Sequence, residues 1–254
     1  MVDVVLLVSE GPTMRGFSAN LPKFVKHMTQ DLSRFSFRFG LVGFGGKGLH
    51  EKPHMVTMNG KIFGKAEDVQ LGLRHLKFDE TNENGTSDGS NAAMYALRKY
   101  NFRAGATKIF LLLSSTERRP LPFSSNWLTS KMLEKYDVTL NVFGKYKKFR
   151  SYEIGMDYQG RVYNRKATKG INQGVDLPEG EYMSLVSKTR GSVFGLNFLA
   201  SDDQRKYEAV QRASMNVWNE QIKRDQAVCK ECVCVRSRGG LGITYCRNNP
   251  YHKC

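Results

Sequence analysis

Four groups of residues have the types and spacing to do chemistry. Ser9, Glu10, Gly11 and Thr13 follow directly on an apolar run, Val4 to Val8. Ser114, Ser115 and Glu117 follow a second such run, Ile109 to Leu113. Between them, Asn84-Gly85-Thr86 leads through Asp88 into a helical pattern. Small hydroxyl and acidic side chains just past buried strands lie where open α/β sheets bind ligands. The fourth group is Cys229, Cys232, Cys234, Cys246 and Cys254, all within the last 26 residues of a chain of 254.

Other chemistries find little support. Gly43-Phe-Gly45-Gly-Lys-Gly48 matches G-x-G-x-x-G, but a dinucleotide site needs a helix to start there, and Pro53 follows with no helical pattern. The five histidines (His27, His50, His54, His75 and His252) show no metal-ligand spacing, and H-E-x-x-H is absent. A G-x-S-x-G nucleophile elbow is also absent. The expectation is a non-enzymatic protein with no cofactor.

The elements that must position these residues alternate. Val2 to Val8 reads as a buried strand. A helix follows, with Phe17, Leu21, Phe24, Val25, Met28 and Leu32 on one face. Phe35 to Gly45 is a second strand, and His54 to Phe63 a hairpin turning at Asn59-Gly60. Helices are expected over Ala66 to Leu76, from about Ser90, and over Leu128 to Tyr136. Strands are expected over Lys108 to Ser115, Asp137 to Tyr146 and Thr189 to Leu199, with short strands or an ordered insertion between Lys145 and Glu181. Ser201 to Gln204 reads as a capping box for a long helix whose buried face holds Tyr207, Val210, Ser214, Trp218 and Ile222. Continuous apolar strands between helices imply a doubly wound, mostly parallel α/β sheet, helices on both faces and one antiparallel edge strand. The cysteine distribution divides the chain into a body, 1–228, and a cysteine-rich tail, 229–254.

The formal net charge is +15, which bears on partners and not on fold. Lys145, Lys147, Lys148 and Arg150 form one basic segment; Arg161, Arg165, Lys166 and Lys169 form another. Together they suit a protein partner with an acidic surface, or a sulfated glycan. No apolar run approaches the ~20 residues of a membrane span.

The order of elements and the three loops resembles the von Willebrand factor type A domain. VDVVLLVSEGPTM stands where that family has an apolar strand running into D-x-S-x-S. NGTSDGSNAAMYAL stands for its glycine-threonine loop and helix. FRAGATKIFLLLSSTE stands for its third strand, including the F-R-x-G-A-x-K lead-in. The resemblance spans Val2 to Gln226. It implies a Rossmann-like fold and a metal-ion-dependent adhesion site, whose positions fall on Ser9, Gly11, Thr13, Thr86 and Ser115. Both positions that supply a carboxylate in the family hold serine here, and one hydroxyl position is glycine. Two neutral hydroxyls do not offset the dehydration of Mg²⁺, so the expectation is a degenerate site without a metal. Glu10 and Asp88 are nearby acids, but Glu10 alternates away from Ser9 and Gly11.

The tail has two readings. In an oxidising compartment it is a small disulfide module whose odd cysteine pairs with another chain or a further segment. In a reducing one, Cys229, Cys232, Cys234, Cys246, His252 and Cys254 offer zinc ligands. The disulfide reading is favoured, and the sequon at Asn84 agrees with secretion and a glycan there. The expected function is an extracellular interaction or adhesion module of a larger secreted protein. It would bind a protein or anionic glycan without a cation bridge, as a processed part of a precursor. The alternative is a nucleic-acid-binding protein of the same fold with a zinc-bearing tail.

Overall fold

A computed structural model describes residues 1–78, 88–115, 125–144, 153–164, 170–172, 182–199, 201, 203–231, 234–236, 244–246 and 249–253. Inside its main sheet lies β1, Val2–Ser9, buried along its whole length. β1 is flanked in parallel by β2, Phe37–Phe44, and β4, Thr107–Ser114. A strand covered on both faces has no polar side to show, which explains its unbroken apolar run. β5, Val138–Gly144, continues the parallel sheet beyond β4, and β9, Ser192–Gly195, lies beyond β5.

Both margins are antiparallel. β3, His54–Val56, turns back along β2 and forms the expected antiparallel edge. Asn59 and Gly60 both have positive φ, 53° and 73°, the backbone that an Asn-Gly two-residue turn requires. Only a Met58–Lys61 bridge closes that turn, so the expected hairpin is shorter than its sequence suggests. At the other margin, β6 (Glu153–Asp157) runs antiparallel to β9, followed by β7 (Arg161–Asn164) and β8 (Ile171–Asn172).

Side chains of β1 alternate between two cores. Val4, Leu6 and Val8 pack with α2 (Leu21–Asp31), α3 (Ala66–Leu73), α7 (Leu196–Leu199) and α8 (Gln204–Glu231). Val5 and Leu7 pack with α4 (Gly89–Lys99), α5 (Asn126–Lys135) and α6 (Met183–Lys188). This is the doubly wound arrangement. Under α8, Trp218 meets Phe24 edge-on at 5.6 Å, and Phe24 meets Phe143 at 5.4 Å. Tyr207, Val210, Ser214, Trp218 and Ile222 are all buried, as their spacing predicts.

Three local expectations are corrected. Pro22, at the second position of α2, and Asn20 before it separate that helix from a one-turn α1, Arg15–Ser18. The strand expected through Leu199 ends at Gly195, where α7 begins. Asp203 caps α8 in place of Ser201: its Oδ1 accepts the Arg205 N–H at 3.0 Å, while Ser201 Oγ accepts from the Asp203 N–H. α8 continues through Glu231, across the boundary expected at 228. In the tail, β10 (Cys234–Arg236), β11 (Thr244–Cys246) and β12 (Asn249–Lys253) form a small sheet, with Cys234 opposite Cys246 in the register. No described helix is long and apolar enough to cross a membrane.

Candidate functional site

The loops of interest leave the sheet at its C-terminal end. β1 and β4 are neighbours, with Val8 beside Leu113, so the residues that follow them emerge side by side. Ser9 is buried, and its Oγ stands 3.5 Å from the Gly11 N–H. Pro12 to Met14 forms one tight turn, held by the Met14 N–H to the Gly11 carbonyl at 2.9 Å and by the burial of Met14 in the core. That turn brings the Thr13 hydroxyl onto the Ser115 hydroxyl, and the two hydrogen-bond. The predicted positions Ser9, Gly11, Thr13 and Ser115 therefore lie on adjoining loops. Thr86, the Asn84 sequon and Glu117 lie outside the described residues.

Asp88 opens α4, and its Oδ1 accepts the Ser90 N–H at 3.0 Å. Ser90 in turn donates to Asn126 Oδ1 at 2.7 Å, tying α4 to α5, and the Gly89 N–H donates to the Tyr182 hydroxyl at 3.0 Å. Among the described residues, this donor set does not suit Mg²⁺. Its hydroxyls are neutral, Thr13 and Ser115 bond to each other, and the nearby carboxylate of Asp88 caps a helix. Mg²⁺ dehydrates reluctantly and is normally held by carboxylates.

Glu10 faces elsewhere. Its backbone N–H continues the ladder to the Phe44 carbonyl at 2.7 Å, and its side chain is wholly buried beside the end of β2. β3 returns antiparallel along β2, which sets His54 opposite Gly43, itself beside Val8 of β1. His54 Nε2 stands 2.9 Å from Glu10 Oε1, and His50 Nδ1 stands 2.9 Å from Glu10 Oε2. The two rings meet edge-on at 4.5 Å. The Lys77 N–H donates to Glu10 Oε2 at 2.6 Å. His54 Nδ1 lies 3.1 Å from the Lys52 carbonyl. Burial lowers the His54 pKa, but the adjacent Glu10 carboxylate and the Lys52 carbonyl raise it more, so it stands above the ordinary histidine value.

This cluster corrects the expectation that the histidines share no ligand arrangement. Glu10, His50 and His54 bring three donor atoms within 4.8 Å of one another. The signal was a His-x-x-x-His pair, His50 and His54. Pro53 excludes the helix on which that spacing usually works, and here a turn and a strand do the same job. Two glycines of this stretch, Gly43 and Gly46, leave the space that the cluster occupies. A Cβ at Gly43 would lie 2.0 Å from Glu10 Oε1 and 2.7 Å from His54 Nε2, and one at Gly46 would lie 2.9 Å from His50 Cβ.

Of the expected anion-binding residues, Lys145, Lys147, Lys148, Arg150, Arg165, Lys166 and Lys169 lie outside the described residues. Arg161 is described, and its charge is used inside the fold. Its Nε donates to Asp157 at 2.6 Å and its terminal nitrogen to Glu220 at 2.7 Å, pinning β7 to α8. Cys229 lies on α8, Cys234 on β10 and Cys246 on β11, while Cys232 and Cys254 lie outside the described residues. Three exposed apolar side chains mark the same end of the molecule as the loops: Leu49, after β2, is 94% exposed, and Trp127 and Leu128, in the first turn of α5, are 69% and 47% exposed.

No protein-family model matches the sequence, and no curated protein matches it. Solved structures do match its fold. An aerotolerance-related membrane protein from Bacteroides fragilis aligns over 87% of this chain and 100% of its own, at 12% identity and a TM-score of 0.51. A von Willebrand factor type A protein from Catenulispora acidiphila aligns over 84% of this chain and 42% of its own, at 12% identity and a TM-score of 0.50. Proximal thread matrix protein 1 from the mussel byssus aligns over 84% of this chain at 12% identity and a TM-score of 0.48. The chain spans 46% of the byssus protein's length. The fold is that of the von Willebrand factor type A domain.

Proposed function

We propose that this von Willebrand A-type fold serves as a non-enzymatic, extracellular interaction module that takes its partner without a bridging cation. The observation that carries the reading is the Thr13–Ser115 hydrogen bond: the two loops close on each other through neutral hydroxyls where a cation would need carboxylates. A partner would meet this end of the sheet through shape, hydrogen bonds and the exposed Leu49 and Trp127. The net charge of +15 favours an acidic protein surface or a sulfated glycan, drawn by Lys145, Lys147, Lys148, Arg150, Arg165, Lys166 and Lys169. The tail cysteines would form disulfides in that compartment, and Asn84 would carry a glycan.

Heparin chromatography tests the reading. Retention should persist in chelator, weaken with salt, and fall when Lys147, Lys148 and Arg150 are replaced by glutamine. Elution unchanged by the triple substitution would remove the basic segment from partner binding. Retention lost in chelator would contradict cation-free recognition.

A further inference from the structure

We propose that Glu10, His50 and His54 form a transition-metal site, suited to Zn²⁺, at the C-terminal ends of β1 and β2. This goes beyond the cation-free reading of the Thr13–Ser115 loops, because it concerns different residues and a different class of ion. Two imidazoles and a carboxylate form a ligand set that leaves a fourth position open to water or to a partner's side chain. Imidazole suits Zn²⁺, Cu²⁺ or Ni²⁺ far better than Mg²⁺. The three donors come from three separate pieces of backbone: the end of β1, the turn after β2 and the first residue of β3. Ligands around tetrahedral zinc stand roughly 3.3 Å apart. The donor atoms here lie within 4.8 Å of one another, with both Glu10–His contacts at 2.9 Å, so small side-chain rotations would admit the ion.

A second observation points to a ligand. Glu10 Oε1, His50 Nδ1 and His54 Nε2 are buried atoms that converge within 4.8 Å, and apart from the two Glu10–His contacts at 2.9 Å none has a hydrogen-bond partner. The reason is legible at His54. The Lys52 carbonyl can only accept, so the proton of a neutral ring belongs on Nδ1. Nε2 then presents a lone pair to the lone pairs of Glu10 Oε1. A cation seated between them would meet both lone pairs, which is the arrangement of a ligand pair. The surroundings have the form of a metal's outer shell: the Lys52 carbonyl orients His54, and the Lys77 N–H holds the second carboxylate oxygen. Gly43 and Gly46 keep the space that a Cβ would fill. The rings remain partly exposed, with 21% of His50 and 26% of His54 open, which gives an entry path.

The test is titration of the chelator-stripped full chain with Co²⁺, followed by Zn²⁺ competition against a chromophoric chelator. One equivalent of Co²⁺ should bind with visible d–d absorption and no thiolate charge-transfer band, and Zn²⁺ should displace it. Glu10→Gln and His54→Gln should each weaken zinc by roughly 100-fold. Where a variant fails to fold, imidazole ¹⁵N spectra of the unaltered chain serve instead, with the His50 and His54 signals shifting on zinc addition. No binding, unmoved His50 and His54 signals, or a thiolate band that survives both substitutions would each overturn the site. The first two results would mean that an imidazolium–carboxylate pair occupies it, and the third would place the metal on the tail. Mg²⁺ binding at the Thr13–Ser115 loops is a separate measurement, so either reading can fail alone.

Discussion

At the scale of single residues, the firmest charge cluster lies at the opposite end of the sheet from the loops. Asp3 is wholly buried and holds Arg38 and Arg103, each with a nitrogen 2.7 Å from its carboxylate. Arg103 also reaches the Val2 and Ser36 carbonyls. The F-R-x-G-A-x-K lead-in thus clamps the floor of the sheet. Burial alone would raise the Asp3 pKa, but the hydrogen bonds and charges of Arg38 and Arg103 hold it below the ordinary carboxylate value. Its stabilisation is therefore complete above the unfolded pKa of about 3.9 and is lost as pH falls through the lower folded value. Asp3→Asn should cost about 3 kcal/mol at neutral pH and flatten the acid limb of stability, measured by denaturant unfolding at several pH values. An unchanged acid limb would contradict the clamp. The placing of Ser9, Gly11, Thr13 and Ser115 was legible in the sequence because each follows a buried strand by a short fixed distance. Glu10, His50 and His54 were not, because their meeting depends on the β1–β2 register and on β3 turning back.

At the scale of elements, caps and packing set the positions of the loops. Asp88 starts α4, and Asp88→Ala should cost about 1 kcal/mol by removing the cap on the Ser90 N–H. Trp218 fastens α8 over Phe24 and Phe143, and Trp218→Ala should cost about 3–5 kcal/mol, read as a lower urea midpoint. A loss under 1 kcal/mol would show that α8 docks mainly elsewhere. Periodicity revealed α8 and its buried face because Tyr207, Val210, Ser214, Trp218 and Ile222 repeat at helical spacing. It misread Leu196 to Leu199, where a short apolar run serves a strand or a buried helix equally well. Asp203 and Ser201 show the same limit at a helix start: both are good caps, and only the chain direction into α8 selects Asp203.

At the scale of the whole molecule, the alternation of apolar strands and amphipathic helices carried the doubly wound fold, and the order of loops carried its type. The antiparallel ribbon β6 to β8 was less visible, since its strands are short and interrupted by glycine and charge. It is held to the body by the β6–β9 ladder and by the Arg161–Glu220 ion pair to α8, while Arg161 also pairs with Asp157 inside the ribbon. Arg161→Gln should lower stability by about 1 kcal/mol in low salt, and less in high salt where the exposed Glu220 is screened. Equal losses at both salt concentrations would assign its effect to packing alone. On the proposed reading, the molecule's remaining positive charge would act at long range on an acidic partner, and its sheet end would supply the contact. The measurement that bears most directly on cation-free recognition is calorimetric titration of Mg²⁺ into the chelator-treated, folded chain. The expected result is no heat of binding at millimolar Mg²⁺, with Ser9, Thr13 and Ser115 offering only neutral oxygens. Saturable one-to-one binding that Ser115→Ala abolishes would contradict it and restore a cation to the loops.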